Sequence, residues 1–258
     1  MPTILFPSPI FGPVSSRRLG VSLGVNLLPS DGKLCTFDCI YCECGYNIDG
    51  RTKTALPTRQ MVAEQLEARL QQMQRDGKGP DVITFAGNGE PTMHPDFPGI
   101  IDDTLRLRDH YFPKAKVSVL SNATFSHRPA VREALLRIDN NILKLDTVSE
   151  DFIQIVDRPV KRYVVEELIE TFCQFEGKLQ IQTMFLTGEF DGKTLDNSME
   201  EYVAPWIEAL KRIRPECVYI YTIDRDTPAK GLRKTSPETL DAIAERVREA
   251  GFECSVSY

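Results

Sequence analysis

The chain has 258 residues, 41% of them hydrophobic and 26% charged, with a formal net charge of −6. That length can bury a sizeable core, and the composition is that of an ordinary globular protein with no long apolar run, so no membrane association is expected. The acidic balance excludes a global basic footprint for nucleic acid, and an RNA partner would need a local basic patch.

Residues 1–18 read as an N-terminal extension. The start, MPTILFPSPIFGPVSSRRLG, is apolar but interrupted by Pro2, Pro7, Pro9 and Pro13. It has neither the basic n-region nor the unbroken h-region of a signal peptide, so a cytoplasmic protein is expected. A first strand is predicted over 19–28, then a long loop over 29–57. An amphipathic helix follows from about Thr58 to Arg75, with Met61, Val62, Leu66, Leu70 and Met73 on one face. Further strands are predicted at 81–87, 116–122, 141–147, 179–186 and 217–223, with helices between them at roughly 97–110, 128–138, 161–175 and 198–213. The last helix, near 236–250, has the clearest start signal, with Ser236 as N-cap and Pro237 and Glu238 behind it; Gly251 marks its end. The closing FECSVSY reads as an edge strand.

Six strand-helix units in series imply α/β class and mostly parallel strands, because parallel strands need crossover connections. Nothing marks a second domain, so 1–258 reads as one. An open doubly wound sheet and a complete or partial barrel both satisfy the pattern, and in either the chemistry belongs in loops at the carboxyl ends of the strands.

The loop after the first strand carries GKLCTFDCIYCECG, four of the seven cysteines within ten positions. An odd count without an export signal argues for metal or redox chemistry over a disulfide framework. Cys35, Cys39 and Cys42 form C-x-x-x-C-x-x-C, and thiolates are the ligands iron-sulfur clusters select. Three thiolates on a four-iron cluster would leave one iron open for chemistry. The rival readings are one face of a buried helix, disfavoured by Asp38, Glu43 and nearby glycines, and a zinc knuckle of Cys39, Cys42 and Cys44, which lacks a second ligand pair.

With Tyr41 before the third cysteine, this motif resembles the signature of the radical S-adenosylmethionine superfamily. The resemblance implies a partial (β/α)6 TIM-type barrel and a single radical SAM core, with 29–57 as the cluster-binding loop. It implies that Cys35, Cys39 and Cys42 hold a four-iron four-sulfur cluster whose fourth iron is chelated by the amine and carboxylate of S-adenosylmethionine. Tyr41 then falls among the cofactor-binding residues. Cys44 stands outside the pattern, either as a spare ligand or as an ordinary thiol.

After the second strand, AGNGEPT resembles the family motif that binds the amino group of the cofactor; Gly87 and Gly89 allow close backbone approach and Glu90 offers a carboxylate. Asn88, between the glycines, departs from the family pattern. Asn122, after the third strand, is placed to contact a ribose or carboxylate, the alternative being turn chemistry. On the fourth strand Lys144 and Asp146 share a face; either they pair with each other, or Asp146 holds cofactor and Lys144 substrate. Met184 reads as core. The last βα loop is basic, with Arg225, Lys230, Arg233 and Lys234, either solvated or set to meet a carboxylate or phosphate. Arg17 and Arg18 are placed to steady an anionic cluster or the substrate. His94, His110 and His127 are scattered and read as surface or loop residues. The stretch FGPVSSRRLGVSLGVNLLP (11–29), together with GNGEPT and the TIDR of the last βα loop, resembles the wyosine-synthase-like iron-sulfur oxidoreductases within the superfamily.

The activity implied is reductive cleavage of S-adenosylmethionine to methionine and a 5'-deoxyadenosyl radical, with electrons from an external flavodoxin- or ferredoxin-like donor. The radical abstracts hydrogen from a nucleotide, an RNA base or a small metabolite. Cys173, Cys217 and Cys254 are isolated, which argues against an auxiliary cluster. The alternatives are a glycyl-radical enzyme activase with a protein partner, and a non-enzymatic zinc- or cluster-binding interaction module.

Overall fold

The computed structural model describes residues 4–16, 19–47 and 52–258. Arg17 and Arg18 therefore lie outside the described residues. The chain divides into two compact units: Leu5–Cys35 with Asn47–Asn141, here the N-terminal unit, and Met1–Ile4, Thr36–Tyr46 and Ile142–Tyr258, the C-terminal unit.

The N-terminal unit holds β1 (Ile10–Ser16), β2 (Gly20–Val25), α1 (Arg59–Arg75), β3 (Val82–Phe85), α2 (Phe97–Tyr111), β4 (Lys116–Ser121) and α3 (Pro129–Leu135). β2, β3 and β4 are parallel neighbours, and β1 adds an antiparallel strand beside β2. The N-terminal extension thus contributes a strand that periodicity did not reveal. The first parallel strand ends at Val25 rather than Leu28 because Asn26, fully buried, turns its amide onto the backbone of Phe6 and Leu28. Thr58 caps α1 through Oγ1, which accepts from Met61 N–H. Val62, Leu66, Leu70 and Met73 are buried as expected, whereas Met61 is 44% exposed and lies off the core face.

The C-terminal unit holds β5 (Asn140–Lys144, its first two residues counted with the other unit), α4 (Glu150–Val156), α5 (Val165–Cys173), β6 (Gln180–Phe190), β7 (Lys193–Asp196), α6 (Glu200–Ile213), β8 (Cys217–Thr222), β9 (Leu232–Lys234), α7 (Pro237–Glu249) and β10 (Glu253–Ser257). Its parallel strands run in the order β5, β6, β8, β10, and β7 and β9 pair antiparallel with the far end of β6. Ser236 and Pro237 start α7 as read from sequence, and FECSVSY becomes the edge strand β10. The helix predicted from 161 begins at Val165, and a separate α4, capped by Ser149, precedes it. The single tryptophan, Trp206 on α6, is buried edge-on against Phe185 and donates to Leu145 O at 3.1 Å.

Candidate functional site

In the N-terminal unit, β3 leads into the turn Gly87-Asn88-Gly89-Glu90. Gly87 and Gly89 have φ of 134° and 140°, a region side chains avoid. A Cβ on Gly89 would stand 1.8 Å from Leu34 O, because the turn and the cysteine loop are bridged there: Leu34 N–H donates to Asn88 O at 2.8 Å and Glu90 N–H to Leu34 O at 3.2 Å. Asn88, the residue foreign to the family pattern, is fully buried. Its side chain donates to Phe6 O and Pro29 O and accepts from Phe6 N–H, so it ties the chain start to the start of the cysteine loop.

Glu90 is 1% exposed and sits in a nest of donors. Its Oε1 accepts from Thr92 N–H at 3.0 Å, from Thr92 Oγ1 and from Ser121 Oγ at 2.8 Å, while Oε2 accepts from Asn122 N–H at 2.7 Å. Burial pushes this carboxyl above its ordinary range, and the hydrogen bonds only partly offset that. Asn122, just past β4, turns its side chain toward Cys35 instead of outward: Nδ2 lies 3.4 Å from Sγ. Cys35 N–H donates to Asn47 Oδ1 at 2.9 Å.

In the C-terminal unit the rest of the cysteine loop is held by backbone bonds to the end of α4, Asp38 N–H to Asp157 O at 3.0 Å and Ile40 N–H to Val156 O at 2.9 Å. Ala229 N–H donates to Ile40 O at 3.1 Å. Ile40, fully buried, is the apolar anchor of the loop, packed with Phe152, Val156, Met184, Leu186 and Ile223. Met184 is therefore core, as expected. Cys39 and Cys44 are buried, Cys42 is half-buried, and none of the seven cysteines forms a disulfide.

Beside this loop lies a buried charged network. Lys144 Nζ, at the end of β5, pairs with Asp146 and, at 2.8 Å, with Asp157. Tyr41 Oη is hydrogen-bonded to Asp146 and to Lys144, whose ammonium also lies 4.7 Å from the centre of the Tyr41 ring. Asp146 Oδ1 accepts from Met184 N–H at 2.9 Å. Lys144 and Asp146 thus pair with each other, one of the two readings their spacing allowed. Burial would depress the Lys144 ammonium, but the two carboxylates outweigh it and hold its pKa well above the usual range. Burial and the Asp146 charge raise Asp157 to about 6 against the pull of Lys144, as befits two carboxylates sharing one cation. The Cys39 thiol also hydrogen-bonds Asp157.

Sequence reasoning missed Asp157, which belongs to no motif, and marked Asn88 only as a departure from one; each acts through partners distant in the chain. His94 lies in a loop, one of the two places expected for it, but is buried there, with Nε2 2.8 Å from Pro57 O and Nδ1 accepting from Asp96 N–H. Arg225 meets a carboxylate, that of Glu43 at 2.6 Å, and Lys234 pairs with Asp224 at 3.6 Å. Cys217 and Cys254 lie on adjacent strands, β8 and β10, and burial raises both thiols, Cys254 to about 12. Among the described residues no three His, Cys, Asp or Glu side chains are placed to hold a single metal ion. The thiols of Cys35, Cys39 and Cys42, none of them in a disulfide, are instead the donor type that iron-sulfur clusters take.

A family model described as the Radical SAM superfamily matches residues 30–196, more than half of the chain. The chain belongs to the Radical SAM superfamily, whose cofactors are a four-iron four-sulfur cluster and S-adenosylmethionine. Among its relatives, it is 31% identical over 251 residues to a protein named GTPase Obg from Brachyspira hyodysenteriae, covering 96% of this chain and 34% of that one. It is 31% identical over 239 residues to a UPF0026 protein of Helicobacter pylori, covering 91% and 72%. The chain therefore spans about a third of the length of the Brachyspira relative. Among solved structures it resembles a radical SAM methyltransferase from Sphaerobacter thermophilus, with TM-score 0.65, 17% identity and coverage of 92% and 66%. It also resembles Streptococcus suis SuiB bound to S-adenosylmethionine, with TM-score 0.61, 16% identity and coverage of 90% and 50%. An archaeal TYW1 aligns with TM-score 0.53, 13% identity and coverage of 89% and 72%. These structural likenesses are of fold, and they give the fold class: α/β, mostly parallel, of the partial TIM-barrel type. Among the described residues, no helix is long and apolar enough to cross a membrane.

Proposed function

We propose that the protein is a single-cluster radical SAM enzyme in which Cys35, Cys39 and Cys42 ligate the cluster. It cleaves S-adenosylmethionine reductively and directs the resulting 5'-deoxyadenosyl radical at a hydrogen atom of a nucleotide, an RNA base or a small metabolite. The observation that carries the reading is the superfamily match over 30–196, which contains all three cysteines. The whole chain, 1–258, is read as one catalytic core acting in the cytoplasm with an external flavodoxin- or ferredoxin-like donor. When bound, the cluster supplies the electron that breaks the carbon-sulfur bond of S-adenosylmethionine.

The chain's own residues bind and orient. The Gly87 and Gly89 turn lets backbone approach a ligand without side-chain interference. Glu90 is the partner for the methionyl ammonium, through Oε2, to which a single protein donor is directed against three at Oε1. Tyr41 presents its ring while Asp146 and Lys144 hold its hydroxyl, so Asp146 serves the cofactor by fixing Tyr41. The wyosine-synthase-like resemblance supports a nucleotide or RNA substrate, and the acidic net charge favours a small one.

The test is anaerobic reconstitution with iron and sulfide, reduction, addition of S-adenosylmethionine and assay for 5'-deoxyadenosine. Wild type is expected to turn brown with about four irons per chain and to form the product, and Cys39→Ala to do neither. A colourless wild-type chain holding stoichiometric zinc, or a loaded chain that forms no 5'-deoxyadenosine, overturns the proposal.

A further inference from the structure

Both ends of the Asn122 amide are committed. Its Oδ1 accepts from Thr124 N–H at 3.1 Å and from Thr124 Oγ1 at 2.8 Å. Because a backbone N–H can only donate, that end of the amide is the oxygen, and the end facing Cys35 is the NH2 group. The same residue's backbone N–H is held by Glu90 Oε2 at 2.7 Å, and Asn122 is 8% exposed, so little water competes for its side chain. The Cys35 main chain is fixed independently, by Asn47.

We infer that Asn122 is a positioning residue that aims an N–H donor at the Cys35 sulfur and thereby raises the reduction potential of a cluster bound through it. The inference rests on Cys35 being a cluster ligand. Reduction adds one electron from the external donor, and part of the added charge falls on the ligating sulfurs. An N–H dipole pointed at one of them stabilises the reduced form more than the oxidised form, and hydrogen bonds to sulfur are among the determinants of cluster potential. Poor hydration of the site strengthens the effect. Asn122 also joins two parts of the proposed machinery, since its main chain holds Glu90 while its side chain holds Cys35.

The test compares wild type with Asn122→Ala and Asn122→Asp after anaerobic reconstitution, reading iron content and the midpoint potential by EPR-monitored titration. Asn122→Asp keeps the shape and the acceptor toward Thr124 but turns a carboxylate oxygen to the sulfur. At the potential where half of the wild-type cluster is reduced, the ratio of reduced to oxidised cluster is expected to fall about tenfold in Asn122→Ala, a midpoint lower by about 59 mV, and further in Asn122→Asp. A change of general packing would not produce that graded order. Wild-type midpoints in both loaded variants overturn the inference and leave the proposed function standing. So does loss of the cluster from both variants while their circular dichroism stays native, because one hydrogen bond would not then be acting by tuning. A wild-type chain that takes no cluster defeats the proposed function first and this inference with it.

Discussion

Lys144 Nζ lies 2.8 Å from Asp157 Oδ1 and is also paired with Asp146, so one ammonium serves two carboxylates inside the C-terminal unit. The three side chains are at most 10% exposed, and Tyr41, from the cysteine loop, completes the group through its hydroxyl. The network therefore holds the cysteine loop by charge, through Tyr41, while Ile40 holds it by apolar contact.

Removing the cation should cost far more than removing the surplus anion. Lys144→Met leaves two buried carboxylates without a counter-charge and is expected to lower stability by about 3–5 kcal/mol. Asp157→Asn leaves a balanced Lys144–Asp146 pair and an amide of the same shape, and its loss should be less than about 1.5 kcal/mol. Urea unfolding midpoints of the two apo variants measure the difference; equal losses would mean that Asp157 is not a surplus anion and that the network needs both carboxylates as much as the cation.

Glu90→Gln should destabilise the apo protein by about 1–3 kcal/mol, because the new NH2 group would face Asn122 N–H, donor against donor. The effect depends on pH. Glu90 is raised above its ordinary 4.5, so the folded chain binds the extra proton between the unfolded and folded pKa values. Its contribution is complete below the unfolded value and declines as pH rises through the folded one. The stability gap between wild type and Glu90→Gln is thus expected to narrow with rising pH across that window, as read from thermal melts at a series of pH values; a gap that widens would contradict it.

Two glycine substitutions separate crowding from backbone strain. At Gly77, with φ of 65° and open space around it, alanine meets only the cost of a left-handed backbone, about 1–2 kcal/mol. At Gly89 a Cβ would lie 1.8 Å from Leu34 O, a backbone atom that cannot swing away. Gly89→Ala is expected to lose the bridge between the turn and the cysteine loop, with a much larger drop in melting temperature than Gly77→Ala and impaired cluster loading.

Cys44→Ser should keep close to wild-type iron after reconstitution, whereas Cys35→Ala, Cys39→Ala and Cys42→Ala should each abolish the chromophore. Cys44 is 6% exposed, so the serine hydroxyl enters a buried position and a modest stability loss is expected. Iron and sulfide assays on the four variants decide whether Cys44 is a ligand.

Most of the α/β alternation was legible because it rests on local signals. Ser236 and Pro237 start α7 by capping chemistry alone, and the apolar stripe of Val62, Leu66, Leu70 and Met73 follows i, i+4 and i, i+3 spacing. What escaped the pattern had no local signature. β1 exists because β2 offers it an edge, α4 is only 7 residues long, and β7 and β9 form on the overhanging end of β6. Met61, one position before Val62, is turned about 100° round the helix from it and so faces solvent: its place on the stripe was a misreading of the period.

The sequence by itself determined the family, the cysteine spacing, the Gly-rich turn after the second parallel strand and the order of strand-helix units, because these depend on residue types at short, fixed separations. Only the tertiary structure decided the partners. Lys144 and Asp146, two apart on the chain, pair with each other but also need Asp157, 11 residues further on, and Asn122 meets Cys35 across 87 positions. Burial makes those contacts consequential, since a buried ion or amide must find its counterpart wherever the fold puts one, and periodicity along the chain carries no record of where that will be.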